Sequence, residues 1–128
     1  WVWLSTIVNT IKSVDRKRPV VAGMHGLRLD GFISPTDVAE ICDILTVHPY
    51  PAFVAHCFTE GIDSMKSKLH SAAELTYYRD LGGKECICEE IGTLGSSLGC
   101  EESVADYLRA NLNSLWRWFD VVVFTRPV

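Results

Sequence analysis

The amino-acid sequence predicts an α/β fold built of parallel strand-and-helix units. Three observations carry that expectation. Short uninterrupted apolar runs recur at 20–24, 44–47, 86–88 and 121–124. Each reads as a strand buried on both faces, as in a parallel sheet. The segments before and between them repeat apolar residues every three or four positions, the period of a helix with one buried side. Finally, successive runs end in titratable side chains: His25, then His48 and Tyr50, then Glu89 and Glu90. Ligands bind along one edge of a parallel sheet, just past the carboxyl ends of its strands.

Each element has its own local signal. Leu4, Ile7, Val8, Ile11 and Val14 form one apolar stripe and predict a first helix. The polar loop 15–18 and Pro19 close it. Residues 20–24 follow as a strand leading into His25. Ser34, Pro35 and Asp37 then supply a cap, a suitable first helical residue and a first-turn acid for a brief helix through Ile41. The second strand ends in His48-Pro-Tyr50-Pro51, where two prolines stiffen the backbone. After an irregular loop, Met65, Leu69, Ala72, Ala73 and Leu75 mark the inward stripe of a long helix over 62–81, closed by Gly82-Gly83. The run 86–88 is the third strand. A last helix over 102–118 turns Val104, Tyr107, Leu108, Leu112 and Leu115 inward, and 121–124 is a fourth strand.

The chain of 128 residues fits one domain, 1–128, and is 48% hydrophobic, enough for a real core. A complete barrel of eight such units takes about 250 residues, so four units make roughly half of one. The net charge of −4 argues against nucleic acid as a partner. No apolar run approaches the roughly 18 residues of a membrane span. The abrupt start at Trp1-Val2-Trp3, inside a helical pattern, suggests a piece of a longer protein. Five cysteines in no regular framework suggest reduced thiols and a cytoplasmic chain, with secretion of a longer parent left open.

The stretch Lys84-Glu-Cys-Ile-Cys-Glu-Glu-Ile-Gly92 carries the central candidate. If the strand period of two continues through it, Cys86, Cys88 and Glu90 share one face and Glu89 takes the other. The two acids then do not share a site. A metal centre is the competing reading, with His25, His48, His56 and the Cys86-x-Cys88 pair as donors. Cys-x-Cys is a weak signal, and on a buried strand both cysteines pack as small hydrophobes. The glycines at 92, 95 and 99 lack the Lys-Ser/Thr of a phosphate loop. Cys100 has no evident base beside it for a nucleophile's role.

That stretch, with His48-Pro-Tyr50-Pro and Arg18-Pro-Val-Val-Ala-Gly23, resembles the second half of a family 5-like retaining glycoside hydrolase, of the clan that includes cellulases and β-mannanases. The resemblance covers about residues 1–118 and implies strands five to eight of a (β/α)8 barrel. Glu90-Ile91-Gly92 matches the family's acid–apolar–Gly at the end of strand seven, which makes Glu90 the nucleophile and turns Glu89 toward the outer helices. His48 and Tyr50 match the strand-six His-x-Tyr, in which the Tyr bonds the nucleophile and the His lines the sugar site. His25 falls at the end of strand five, also facing substrate. The implied partner is a carbohydrate, and no cofactor is implied.

Two features depart from the family. Its acid/base Glu follows an Asn at the end of strand four, and no Asn-Glu pair occurs here. Its strand eight ends in a Trp beneath the sugar, whereas Trp116 and Trp118 precede the last apolar run. Retaining hydrolysis needs two carboxyls about 5–5.5 Å apart, so this chain alone is expected to be inactive. Open barrel edges are expected to make it self-associate. Three other readings stand beside this one: a non-catalytic truncated product, a metal-dependent barrel enzyme using His25, His48 and Glu90, and a small binding module.

Overall fold

The computed structural model describes residues 2–22, 33–50, 59–93 and 99–118. Over these the order is α1 (Val2–Val14), α2 (Pro35–Ile41), β1 (Leu45–Val47), α3 (Met65–Gly82), β2 (Cys86–Cys88) and α4 (Glu101–Trp118). The two strands are parallel, with Leu45 opposite Cys86, Thr46 opposite Ile87 and Val47 opposite Cys88. A third segment joins β1 on its other side through a parallel bridge between Val21 and Ile44. Three neighbouring segments therefore lie side by side in sequence order. Residues 23–24 of the expected first strand and the whole of 121–124 lie outside the described residues.

Side chains tie the first segment to β1. The Val20 N–H donates to Asp43 Oδ2 at 2.7 Å, and the Asp43 N–H donates to the Val20 carbonyl at 2.9 Å. Lys12 of α1 pairs with the same Asp43 carboxylate. The Thr46 hydroxyl donates to the Ala22 carbonyl at 2.8 Å, which satisfies a polar group buried inside β1.

The helix ends form as their residues dictate. Ser34 and Asp37 make a reciprocal capping box at α2, with Pro35 in the first turn. Ser64 caps α3 by accepting from the Ser67 N–H, and Gly83 closes it at φ 62°, a left-handed conformation suited to glycine.

Two expected stripes are corrected. On α3 the buried residues are Ser67, Ser71, Leu75 and Tyr78, whereas Met65 is 70% exposed and Leu69 48%. Apolar residues occur on both sides of this helix, so periodicity could not say which side turns inward. The inward side is the one with small residues, because α4 packs closely there. Asn111 of α4, fully buried, donates through Nδ2 to the Ser67 carbonyl at 3.4 Å and to the Tyr107 carbonyl at 3.0 Å. Its Oδ1 accepts from the Ser71 N–H at 3.4 Å. Tyr107 and Leu115 are buried as expected, and Leu108 packs against the core. On α1 only Val8 is buried, with Leu4 packed beside it; Ile7, Ile11 and Val14 are exposed. Among the described residues, only one edge of the α1 stripe is covered.

The core lies between the sheet and the helices. Leu45, Val47, Cys86 and Cys88 join Val38, Ala39, Leu75 and Tyr78 in one cluster. Gly82 marks how closely α3 approaches β1. A Cβ at that position would stand 2.5 Å from Leu45 Cδ1 and 3.2 Å from the Ala39 Cβ.

Candidate functional site

The parallel register places Val47 opposite Cys88, so the residues that follow each strand emerge as neighbours. The last ladder bond runs from the Glu89 N–H to the Val47 carbonyl at 3.2 Å. Beyond it, His48 and Tyr50 leave β1 while Glu89 and Glu90 leave β2. These four side chains meet. The Tyr50 hydroxyl donates to Glu90 Oε2 at 2.8 Å. His48 Nε2 lies 2.9 Å from Glu89 Oε2, and His48 Nδ1 lies 3.9 Å from Glu90 Oε2. The His48 side chain is only 7% exposed, against 32% for Glu89 and 34% for Glu90. A buried imidazole thus stands between two carboxylates that reach solvent.

The backbone after β2 supports this arrangement. Ile91 is buried and anchors the chain just beyond the acids. The Cys88 thiol donates to the Glu90 carbonyl at 3.4 Å. Gly92 passes the Tyr50 ring, where an added Cβ would lie 3.4 Å from Cε1. The acid–apolar–Gly order therefore has a local meaning. The apolar residue fixes the turn, and the glycine leaves room for the aromatic ring that bonds the acid.

The expectation for Glu89 is overturned. It does not turn toward the helices but bonds His48, so the two acids share one site. Alternation along the strand does not produce this arrangement. Leu45 meets Gly82 of α3, and Cys86 is its register partner, so Cys86 and Cys88 lie on the helix-facing side of the sheet. Strict alternation would have sent Glu90 to that side too. The strand stops at Cys88, and beyond it the pleat no longer dictates direction. Glu89 is the residue that sequence reasoning missed here. The available signal was its position past the strand end, beside the other acid. His25 and His56 lie outside the described residues.

Burial separates the cysteines chemically. Desolvation, followed by the charge of Glu74, pushes the thiols of Cys86 and Cys88 up to about 12. Burial also raises Cys42. Cys100 is exposed, and hydrogen bonds from Ser103 and nearby backbone hold its thiol below the usual range. Among the described residues no group of three or more His, Cys, Asp or Glu is arranged to hold a metal ion. A groove of about 570 Å³ runs along Leu69, Ala73, Tyr77 and Asp80, all on α3, and includes none of the four clustered side chains. Trp116 is 77% exposed on α4.

No family model matches the chain, and no curated protein matches it. Solved structures do match, among them two mannanases. The endo-beta-1,4-mannanase from Thermotoga petrophila superposes with a TM-score of 0.70 at 18% identity, over 95% of this chain and 30% of that one. The hyperthermostable endo-1,4-beta-D-mannanase from Thermotoga petrophila RKU-1, with maltose and glycerol, gives 0.67 at 18% identity, over 95% and 38%. The chain thus has the fold of part of a TIM-barrel enzyme and spans about a third of the length of these structures.

Proposed function

We propose that the chain is the part of a retaining β-glycoside hydrolase that bears the nucleophile, contributing strands five to eight of its barrel. Glu90 is that nucleophile, and Tyr50 aligns it. His48 borders the sugar, and for His25, outside the described residues, a place beside the substrate rests on the sequence resemblance alone. The observation that carries this reading is the 2.8 Å bond from Tyr50 to Glu90 at the ends of adjacent parallel strands. The likeness in fold to two endo-mannanases supports it and favours a β-1,4-linked glycan such as mannan as substrate.

The chemistry requires a carboxylate that is fixed and accessible. Glu90 meets both needs, being held by a hydroxyl donor while a third of its side chain reaches solvent. Its oxygen attacks the anomeric carbon as the glycosidic C–O bond breaks, forming a covalent glycosyl-enzyme. The departing oxygen takes a proton from a second carboxyl group. Water then hydrolyses the intermediate, returning its proton to that second group. An Asn-Glu pair to supply that group is absent from this sequence.

A mechanism-based 2-fluoro glycoside tests the assignment on the longer parent protein. The label is expected on the peptide that contains Glu90, at Glu90 itself. Labelling of Glu89 or of another residue overturns the nucleophile. The 128-residue chain by itself is expected to hydrolyse aryl β-glycosides no faster than its Glu90→Ala variant. Turnover above that control refutes the need for an external acid.

A further inference from the structure

We infer that Glu89 is a positioning residue: by accepting the Nε2 proton of His48 it sets the ring with Nδ1 toward the Glu90 carboxylate. An ionised carboxylate only accepts hydrogen bonds. With Glu89 ionised, the 2.9 Å contact from His48 Nε2 to Glu89 Oε2 places the proton on Nε2. In a histidine, the bond made at one ring nitrogen decides what the other nitrogen presents. Here the other nitrogen, Nδ1, lies 3.9 Å from Glu90 Oε2. That separation is too long for a hydrogen bond, yet the ring edge still borders the carboxylate. The Glu90 Oε2 atom that His48 faces is the one that accepts from Tyr50.

The two neighbouring acids consequently have different requirements. Glu90 must offer a nucleophilic carboxylate, which an amide cannot replace. Glu89 need only offer an acceptor oxygen, which the amide of Gln retains. His48 is nearly buried, so its ring has little room to adopt another orientation while Glu89 holds it. The catalytic consequence rests on Glu90 being the nucleophile, whereas the protonation of His48 does not.

The experiment has two arms. In the first, long-range proton–nitrogen spectra of the 128-residue chain read the His48 ring, assigned with a His48→Asn variant. The wild-type ring is expected to carry its proton on Nε2, to keep it there in Glu89→Gln, and to show mixed tautomers in Glu89→Ala. A wild-type ring protonated on Nδ1 alone overturns the inference, as does an unchanged ring in folded Glu89→Ala. Should Glu89→Ala fail to fold, the wild-type and Glu89→Gln spectra decide by the same criterion.

The second arm measures turnover in the longer parent. A displaced group near the reacting atoms costs up to about 100-fold. Glu89→Ala is therefore expected to lower kcat by roughly 10- to 100-fold with little change in KM, and Glu89→Gln to recover most of that loss. Equal losses in the two variants overturn the positioning role. Retained turnover in Glu90→Gln instead overturns the nucleophile reading, and the spectra still decide the state of His48.

Discussion

Tyr50 offers Glu90 a single donor, so deleting one oxygen isolates its contribution. A hydrogen bond to a charged group contributes about 1.5–3 kcal/mol. In the longer parent, Tyr50→Phe is expected to lower kcat by roughly 10- to 100-fold, since each 1.36 kcal/mol is a factor of ten. The ring itself stays, and with it the packing against Gly92. A kcat within twofold of wild type would remove Tyr50 from the site. The thiols give a second test at this scale. Cys100 is expected to react with iodoacetamide well before Cys42, Cys86 and Cys88, because it is exposed with a thiol held below the usual range. Mass spectrometry of peptides from a brief labelling reads that order, and early labelling of Cys86 or Cys88 contradicts their burial. Both of those thiols are raised from 9.0 to about 12 on folding. Below pH 9 each holds its proton in both states. Above it the unfolded chain ionises first, so their contribution to stability is expected to fall between about pH 9 and 12.

At the scale of elements, α3 ends on two glycines that do different work. An alanine methyl at Gly82 would collide with Leu45, which is fully buried and has little room to yield. Overpacking of this kind costs about 1–3 kcal/mol. Alanine's better helix propensity returns at most about 1 kcal/mol. Gly82→Ala is therefore expected to be net destabilising, by up to about 2 kcal/mol once the helix gain is set against the overpacking. Gly83 has open space around it but a φ of 62°. A side chain there is strained by the backbone, so Gly83→Ala is expected to cost about 1 kcal/mol. Urea denaturation distinguishes the two mechanisms. Trimming Leu45 to Val should relieve part of the first loss and none of the second. Equal behaviour of both variants in the Leu45→Val background would show that α3 does not press on β1 as described. The same helix buries a side that its apolar periodicity does not single out. Sequence periodicity reports that apolar residues line a helix, but α3 has them on two sides, and the choice fell to Ser67 and Ser71 meeting Asn111.

At the scale of the whole molecule, the described sheet pairs β2 along one edge only, and α1 and α3 expose Trp3, Ile11, Met65 and Leu69. Unpaired strand edges and apolar faces recruit other chains. The 128-residue chain is expected to associate at micromolar concentration. Light scattering with size exclusion would detect this, and a monodisperse monomer that unfolds cooperatively would count against an open sheet. Much of the molecule was nonetheless legible beforehand. The Ser34 cap, the Gly83 stop, the parallel apolar runs and the polar residues at their ends are all short-range signals, written in a few adjacent residues. They were sufficient to bring His48, Tyr50 and Glu90 to one edge. Only the tertiary structure decided that Cys86 and Cys88 face α3 and that Glu89 joins Glu90 at His48. The reason is physical. A period of two holds only while a strand is paired, and it names two faces without saying which one the helices will cover.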